Sequence, residues 1–248
     1  MGALHEGHLT LVRAARLQAT RVAVSIFVNP AQFAPSEDFA AYPRDEAADL
    51  EKLAEVGVDV VFVPGVEEIY PPGFATAITV GGPAEDLESV SRPHFFGGVA
   101  TVVAKLLTVV GPDVALFGEK DYQQLLVVKR MATDLGLPVE IVGVPTVRDG
   151  DGLAQSSRNA YLSRVERQAA PVLYAAISEA AQAIREGTPA EKAIGEARSK
   201  LVMGGFKIDY VKVRNAETLK DVKDPGEPMR VLAAAWLGKT RLIDNVAV

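Results

Sequence analysis

Cysteine is absent from the 248 residues, which excludes disulfides and cysteine-based metal sites and fits a reducing compartment. Only three histidines occur, and the excess of acidic residues gives a formal net charge of -6. An acidic surface does not attract a polyanion, so nucleic acid is not expected as the main partner. No apolar run is long enough to cross a bilayer, and the first residues lack the features of a signal peptide, so we expect a cytoplasmic protein.

Strand-type apolar runs and helical patterns alternate through the first part of the chain. The run over 22–28 is typical of a strand buried on both faces of a parallel sheet. The patterns predict further strands at 59–64, 77–80, 114–117 and 139–144, and helices at 9–17, 44–56, 99–110 and 122–135. This alternation predicts an α/β domain with a mostly parallel sheet, in which ligands bind beyond the carboxyl ends of the strands.

The pattern changes near Val147. A polar segment over 148–157 precedes predicted helices at 164–186 and 189–203 and predicted strands at 208–213, 230–236 and 240–246. Helices followed by antiparallel strands predict a small α+β domain. We therefore expect two domains, covering residues 1–147 and 148–248.

The residues His5, Glu6, Gly7 and His8 stand at the start of the first predicted helix. Free backbone N–H groups and the helix dipole favour an anion there, and the two histidines share a helix face. Two imidazoles beside that dipole suit the oxygens of a triphosphate, whereas the simpler alternative is a pair of surface histidines. A zinc site is disfavoured, because one other histidine and no cysteine remain to complete the ligand set.

The segment from Gly118 to Asp121 lies between a predicted strand and a predicted helix, where a ligand-binding loop is expected. Lys120 can neutralise a phosphate, and Asp121 can reach a hydroxyl or a Mg²⁺ ion. Taken alone, the sequence Gly-Glu-Lys-Asp also suits an ordinary solvated turn.

Gln155, Ser156, Ser157 and Arg158 place two hydroxyls and a guanidinium next to one another, which is a donor set suited to phosphate oxygens. The turn-forming residues over 148–152 just before them suggest a mobile loop. The alternative is a cap on the following helix.

A pocket of different character is indicated after the most apolar strand. Asn29 and Gln32 offer neutral amides beside Phe33, which suits a compact hydroxy acid with an apolar body. Gln123 and Gln124, after the Lys120 segment, can supply more amides. The alternative is a turn that only ends the strand.

Six motifs follow one another along the whole chain: Met-Gly-Ala-Leu-His-Glu-Gly-His, Phe-Val-Asn-Pro-x-Gln-Phe, Phe-Gly-Glu-Lys-Asp-Tyr-Gln-Gln, Val-Pro-Thr-Val-Arg, Ser-Ser-Arg-Asn and Arg-Leu-Ile-Asp-Asn-Val. Each motif alone has only modest specificity, but the ordered set is highly specific. With these motifs the chain resembles the pantothenate synthetase (pantoate–β-alanine ligase) family. The resemblance implies an α/β fold, with a Rossmann-like nucleotidyltransferase domain built on a parallel sheet and a smaller α+β C-terminal lid domain. It also implies a homodimer.

The resemblance further implies a ligase that joins pantoate to β-alanine with ATP and Mg²⁺, through a pantoyl-adenylate, and releases AMP and pyrophosphate. By position, catalytic roles fall on His5, His8, Lys120 and Arg158, and His8 matches the proton donor. The expected ATP contacts are Met1, Gly2, His5, His8, Gly118, Glu119, Lys120, Asp121, Val147, Gln155, Ser156, Ser157 and Arg158. The expected pantoate and β-alanine contacts are Gln32, Gln124 and Asn29, and Asp121 is the expected Mg²⁺ ligand.

Three features depart from the family pattern. The family has a strand and a Pro-Thr ahead of the Met-Gly segment, so we expect this chain to be N-terminally shortened by its first strand. Gln155 replaces the usual methionine. In the segment 92–96 the histidine, His94, comes one place early, so no role is carried over to it.

Two other functions fit parts of the pattern. Another adenylyl- or cytidylyltransferase with a similar His-x-Gly-His helix start would release a stable nucleotide conjugate and need no amine. An inactive nucleotide-binding remnant, suggested by the shortened N-terminus, would bind ATP without releasing pyrophosphate.

Overall fold

A computed structural model describes residues 2–34 and 39–248, and Met1 lies outside the described residues. The chain divides into two compact units. Unit 1 contains the residues up to Glu119 together with Gln123–Pro145, and unit 2 contains Lys120–Tyr122 and Thr146–Val248. Within the described part of the chain, no helix combines the length and the apolar character needed to cross a membrane.

Unit 1 is built from helices and short strands. Its helices are α1 (Glu6–Arg16), α2 (Glu46–Glu55), α3 (Val66–Ile69), α4 (Glu88–Ser91), α5 (Phe95–Val110) and α6 (Tyr122–Asp134), the last of which begins with a residue of unit 2. Its strands are β1 (Ala23–Ser25), β2 (Val60–Phe62), β3 (Val114–Gly118) and β4 (Glu140–Val144).

The strands of unit 1 pair in parallel, as predicted for an α/β domain. β1 pairs with β2, with Ala23 opposite Val60, and β3 pairs with β4, with Val114 opposite Glu140. Parallel neighbours need a crossover connection, which contains α2 in the first pair and α6 in the second.

Among the described residues of unit 1, buried apolar side chains form two clusters. The first joins α1, α2 and β1 through buried residues such as Val12 and Leu53. The second joins α5 to α6 through Val99 and Val128, with apolar residues of β3 and β4 packed against it. Burial of these apolar faces is the main source of stability for the elements that carry the predicted site.

Unit 2 combines three helices with an antiparallel sheet. The helices are α7 (Arg164–Ala169), α8 (Val172–Arg185) and α9 (Ala190–Met203), and the strands β5 (Phe206–Asn215), β6 (Met229–Leu237) and β7 (Thr240–Ala247) lie in that order. Residues of α8, α9 and the sheet share one core. The predicted fold class is therefore confirmed, whereas the predicted domain limits and the lid role stay predictions.

Three predicted elements differ from the structure. The strand predicted over 22–28 is only three residues long, Ala23–Ser25, and exposed Ala23 contradicts the expected burial on both faces. The segment 77–80 forms no strand, and the Ile78 N–H donates to the Thr101 hydroxyl at 3.0 Å. The helix predicted over 164–186 is split into α7 and α8, because Pro171 has no N–H to donate to the preceding turn.

Candidate active site

The start of α1 carries the two histidines of the first motif. His5 is the N-cap residue, with an extended backbone (φ -128°, ψ 174°), and His8 stands in the first turn. The two ring centroids lie 4.1 Å apart. The His5 N–H lies 3.4 Å from His8 Nδ1, which makes Nδ1 an acceptor and leaves the proton of the neutral ring on Nε2. The His8 ring therefore stands beside the backbone N–H groups of a helix start, and its role as proton donor stays a prediction.

The chain just before α1 is fixed by two residues of α2 that lie outside the six motifs. Asp49 is only 1% exposed and accepts the Leu4 N–H through Oδ1 at 2.7 Å. Lys52 Nζ donates to the Leu4 carbonyl at 2.9 Å. Both backbone groups of Leu4 are thus held by α2. The only sequence signal was position 49, four residues before Leu53 and therefore on the buried face of α2.

Asn29 and Gln32 follow β1, and they contact each other. Asn29 is buried, and its Nδ2 donates to Gly98 O at 3.1 Å and to Gln32 Oε1 at 3.3 Å. Its Oδ1 accepts the Ala31 N–H at 3.2 Å and the Tyr70 hydroxyl at 2.7 Å. Burial raises the pKa of Tyr70, which keeps the phenol protonated and able to donate. The amide of Asn29 is thus fully used within the protein, and its direct contact with pantoate stays a prediction.

The backbone of the same turn is held by Arg92. Its Nη2 donates to the Gln32 carbonyl at 3.2 Å, and its guanidinium carbon lies 3.9 Å from the centroid of the Phe95 ring. Phe95 occupies the motif position at which the family pattern has histidine, and an aromatic face attracts a guanidinium. His94 is the residue just before α5.

The two glutamines near the start of α6 have different surroundings. Gln123 is 4% exposed, and its amide forms hydrogen bonds with four backbone groups, those of Pro83, Glu85, Asp86 and Glu88. Gln123 therefore holds residues 83–88 against α6, and its amide is not available to a ligand. Gln124 is half-buried, and its role in pantoate binding stays a prediction.

The phosphate-binding segment predicted after β3 is a single turn. Gly118 ends the strand, and Glu119–Asp121 form a 3-10 turn that leads directly into α6. Lys120 Nζ lies 3.7 Å from Asp121 Oδ2, and the exposed fraction of the side chain is 21% for the lysine and 43% for the aspartate. A cation and an anion therefore stand side by side at the carboxyl end of a parallel strand.

Asp121 is the predicted ligand of Mg²⁺. In residues 2–34 and 39–248, no group of three or more histidine, cysteine, aspartate or glutamate side chains is arranged to hold a metal ion. Mg²⁺ is commonly bound by one or two carboxylates together with substrate phosphates. The residues present fit an ion carried in by a nucleotide, and they do not fit an ion held by the protein alone.

Residues 147–155 of unit 2 form a hydrogen-bonded hairpin. The Asp149 N–H donates to Leu153 O at 2.8 Å, and the Gln155 N–H donates to Val147 O at 3.0 Å. Two of the predicted ATP contacts, Val147 and Gln155, are thereby brought together.

The hairpin is anchored to the sheet of unit 2 through Arg148. Its guanidinium forms two hydrogen bonds with the Asp244 carboxylate, at 2.6 and 2.9 Å, and lies 3.7 Å from the centroid of the Tyr174 ring. Asp244 stands on β7, within the last of the six motifs. The bidentate geometry and the burial of the carboxylate make this pair a strong anchor.

A second guanidinium closes the turn of the hairpin. Arg167 donates to Asp151 at 2.6 Å and to Asp149 at 2.9 Å, and it holds the pKa of Asp151 below its ordinary value. Gln155 Nε2 donates to the other oxygen of Asp149 at 3.1 Å. The turn-forming residues of the expected mobile loop therefore build a hairpin held by side-chain hydrogen bonds, and its mobility stays a prediction.

The Ser-Ser-Arg segment follows the hairpin. Ser156 caps the 3-10 turn Ser157–Tyr161, since its hydroxyl accepts the Arg158 N–H at 3.3 Å. Asn159 donates to the Ala154 carbonyl at 3.0 Å. The expected alternative, a cap on the following helix, is not what Ser156 forms, because Ser163 caps α7. Ser157 and Arg158 are half-buried in the 3-10 turn.

The predicted site residues fall into local groups within each unit. Unit 1 brings together His5 with His8 and Asn29 with Gln32, and it contains Gly2, Gly118, Glu119 and Gln124. Unit 2 brings together Lys120 with Asp121, Val147 with Gln155, and Ser156 with Ser157 and Arg158.

Comparison with known proteins agrees with the motifs. The family model described as Pantoate-beta-alanine ligase matches residues 1–247. The pantothenate synthetase of Caulobacter vibrioides is 59% identical over 254 residues, which cover 100% of this chain and 88% of that protein. The pantothenate synthetase of Mesorhizobium japonicum is also 59% identical, over 249 residues, with the same coverage of both chains.

Solved structures agree as well. The crystal structure of pantothenate synthetase from Thermus thermophilus matches with a TM-score of 0.96 at 50% identity, covering 99% of this chain and 90% of that one. The pantoate-beta-alanine ligase from Francisella tularensis, solved with beta-gamma ATP and beta-alanine, matches with a TM-score of 0.83 at 35% identity, covering 100% and 87%. Because the motifs, the fold and the similarity over residues 1–247 agree, the chain is a member of the pantoate–β-alanine ligase (pantothenate synthetase) family of enzymes.

Proposed function

We propose that the protein condenses pantoate with β-alanine in two steps, with a pantoyl-adenylate between them and AMP and pyrophosphate as the other products. The observation that carries the proposal is the start of α1, where the His8 ring, with Nδ1 accepting the His5 N–H, stands beside the backbone N–H groups of the helix N-terminus. The full-length family match supports the choice of substrates.

In the first step, a carboxylate oxygen of pantoate attacks the α-phosphorus of ATP, and the bond to the pyrophosphate oxygen breaks. The pantoate amide partners are Gln32 and Gln124, with Asn29 orienting Gln32. His8 donates a hydrogen bond to the phosphate oxygens, and Lys120 and Arg158 neutralise charge as it develops there. Mg²⁺ bound to the nucleotide, with Asp121 as its protein ligand, would neutralise further phosphate charge.

In the second step, the amine of β-alanine attacks the acyl carbon, and the bond to AMP breaks. The amine loses a proton as the amide forms. An acyl-adenylate is prone to hydrolysis. The proposal therefore includes a lid, formed by residues 148–248, that excludes water from the intermediate. The division into domains 1–147 and 148–248, the homodimer and the cytoplasmic location also belong to it.

Isotope exchange separates the two steps. The protein is incubated with ATP, Mg²⁺, pantoate and labelled pyrophosphate, with and without β-alanine. We expect label to enter ATP only when pantoate is present, without any need for β-alanine, and pantothenate and AMP to accumulate only when the amine is added.

Other outcomes would replace the proposal. A stable nucleotide conjugate that forms without an amine would assign the protein to another group of nucleotidyltransferases. ATP binding seen by calorimetry, with neither exchange nor pyrophosphate release, would identify an inactive nucleotide-binding protein.

A further inference from the structure

Two adjacent polar residues of β7 are buried in unit 2. Asp244 is 4% exposed and Asn245 is 6% exposed. They belong to the closing motif Arg-Leu-Ile-Asp-Asn-Val, which the proposed reaction leaves without a role. A buried polar side chain is costly unless it is hydrogen-bonded, so the partners of this pair show what it does.

Asn245 bonds two partners that lie far apart in the sequence. Its Nδ2 donates to the Lys120 carbonyl at 3.0 Å, and its Oδ1 accepts from Arg230 Nη1 at 2.6 Å. A guanidinium can only donate and a backbone carbonyl can only accept, so the orientation of the amide is fixed by its partners. Asp244 also accepts the backbone N–H of Asn245, at 2.8 Å.

Tyr122, two residues after Lys120, is also held, by Arg230 and by the backbone of Ala216. The guanidinium carbon of Arg230 lies 3.6 Å from the centroid of the Tyr122 ring. The Tyr122 hydroxyl donates to the Ala216 carbonyl at 2.8 Å. The segment is therefore fixed at its backbone by Asn245 and two residues later by the Tyr122 side chain.

We infer that Asn245 is a positioning residue for Lys120, an inference that rests on the proposed function. The lysine side chain has four rotatable carbons, so its ammonium reaches one place reproducibly only when its backbone is fixed. The hydrogen bond from Asn245 fixes the peptide plane between Lys120 and Asp121. Loss of that bond lets the ammonium move relative to the phosphates, and a misplacement of about 1 Å lowers a rate by roughly 10²-fold.

The test compares Asn245→Asp with the parent protein. The aspartate has the same shape and still accepts from Arg230, but it presents an oxygen instead of a donor to the Lys120 carbonyl. We expect pantoate-dependent pyrophosphate release at saturating substrates to fall by about 10- to 100-fold, with the KM for pantoate nearly unchanged.

A control on the same sheet separates positioning from general loss of stability. Asp209 of β5 pairs with Arg241 of β7 at 2.6 Å, and neither residue contributes to the proposed site. Asp209→Asn should lower the thermal unfolding temperature without lowering the turnover number. An equal fall in turnover for both variants would overturn the inference.

A double-mutant cycle supplies the readout that a purely structural role would not give. If Asn245 acts through Lys120, the variant Lys120→Ala loses no further activity when Asn245→Asp is added. If the two losses multiply, Asn245 does not act through the lysine and the inference is overturned. Hydrogen exchange over residues 119–122 gives a readout without catalysis, and unchanged exchange in Asn245→Asp would also overturn it.

The experiments also distinguish failure of the proposed reaction from failure of the role inferred for Asn245. If the parent protein releases no pyrophosphate with pantoate, the reaction itself is refuted. If the parent is active and the cycle is multiplicative, only the role of Asn245 is refuted.

Discussion

A close backbone contact near the predicted pantoate residues is made at Gly98. This glycine of α5 faces the 3-10 turn Pro30–Gln32, and its carbonyl accepts from Asn29. A Cβ atom at position 98 would lie 2.5 Å from the Ala31 carbonyl carbon, closer still to its oxygen, and 2.8 Å from the Gln32 N. Cβ atoms essentially never approach other atoms within 3.0 Å, so Gly98→Ala must push the turn away from α5.

The neighbouring Gly97 provides a matched control. A Cβ there would have only an ordinary contact, 3.8 Å from the Ile78 carbonyl. Replacing a helical glycine by alanine gains up to about 1 kcal/mol from helix propensity, and this gain applies to both positions. The difference between the two variants therefore isolates the overpacking cost, which we expect to be about 1–3 kcal/mol in the free energy of unfolding.

Displacement of the 3-10 turn should also lower the affinity for pantoate. Because the clash falls on the backbone of Gln32, Gly98→Ala should weaken pantoate binding by about tenfold or more, on the order of one lost amide hydrogen bond with a polar group left unpaired. Gly97→Ala should bind pantoate as the parent does, and ATP affinity should be unchanged in both variants. Urea unfolding and calorimetry measure these effects. Equal stability and equal pantoate affinity in the two variants would refute the reasoning.

Three further predictions concern the histidine motif and unit 2. His8→Ala should lower pantoate-dependent pyrophosphate exchange by about 10²–10³-fold with little change in pantoate affinity, because a transition-state donor is lost. Arg158→Lys should lower ATP turnover by roughly tenfold, because an ammonium cannot hold two oxygens in a fixed fork. Arg167→Gln should let the pKa of Asp151 rise toward its ordinary value. The stability given by the lowered pKa is present above the ordinary value and lost as the pH falls through the lowered one, so this variant should be less stable than the parent at neutral pH, with the gap closing in acid.

Each of these predictions has a contrary outcome. Near-normal exchange in the alanine variant would remove His8 from the mechanism. ATP turnover equal to that of the parent would assign Arg158 to its 3-10 turn alone. For Arg167→Gln, urea unfolding across the acidic range decides, and a stability gap that does not change with pH would contradict the account given for Asp151.

The sequence by itself determined the fold class and the local start of the site. The run over 22–28 and the patterns around it predicted parallel strands joined by helices, because periodicity records which side of each element is buried. The position of His5 at the start of α1 could likewise be predicted from neighbouring residues, because the helix N-terminus lies where the apolar pattern begins. The turn-forming residues over 148–152 predicted a change of chain direction, but not the side-chain hydrogen bonds that hold the resulting hairpin.

Only the tertiary structure decided which distant residues hold the site. Asp49 has the acidic side chain that any exposed helix position could have, and its role depends on meeting Leu4, 45 residues earlier. Asn245 meets the Lys120 carbonyl across 125 residues, and Gly98 meets the turn that contains Gln32. A hydrogen bond to a backbone group leaves no mark on the partner's side chain, so a single sequence cannot show it. The residues expected to bind the substrates can thus be predicted from the sequence. The residues that fix their positions can be identified only in the folded structure.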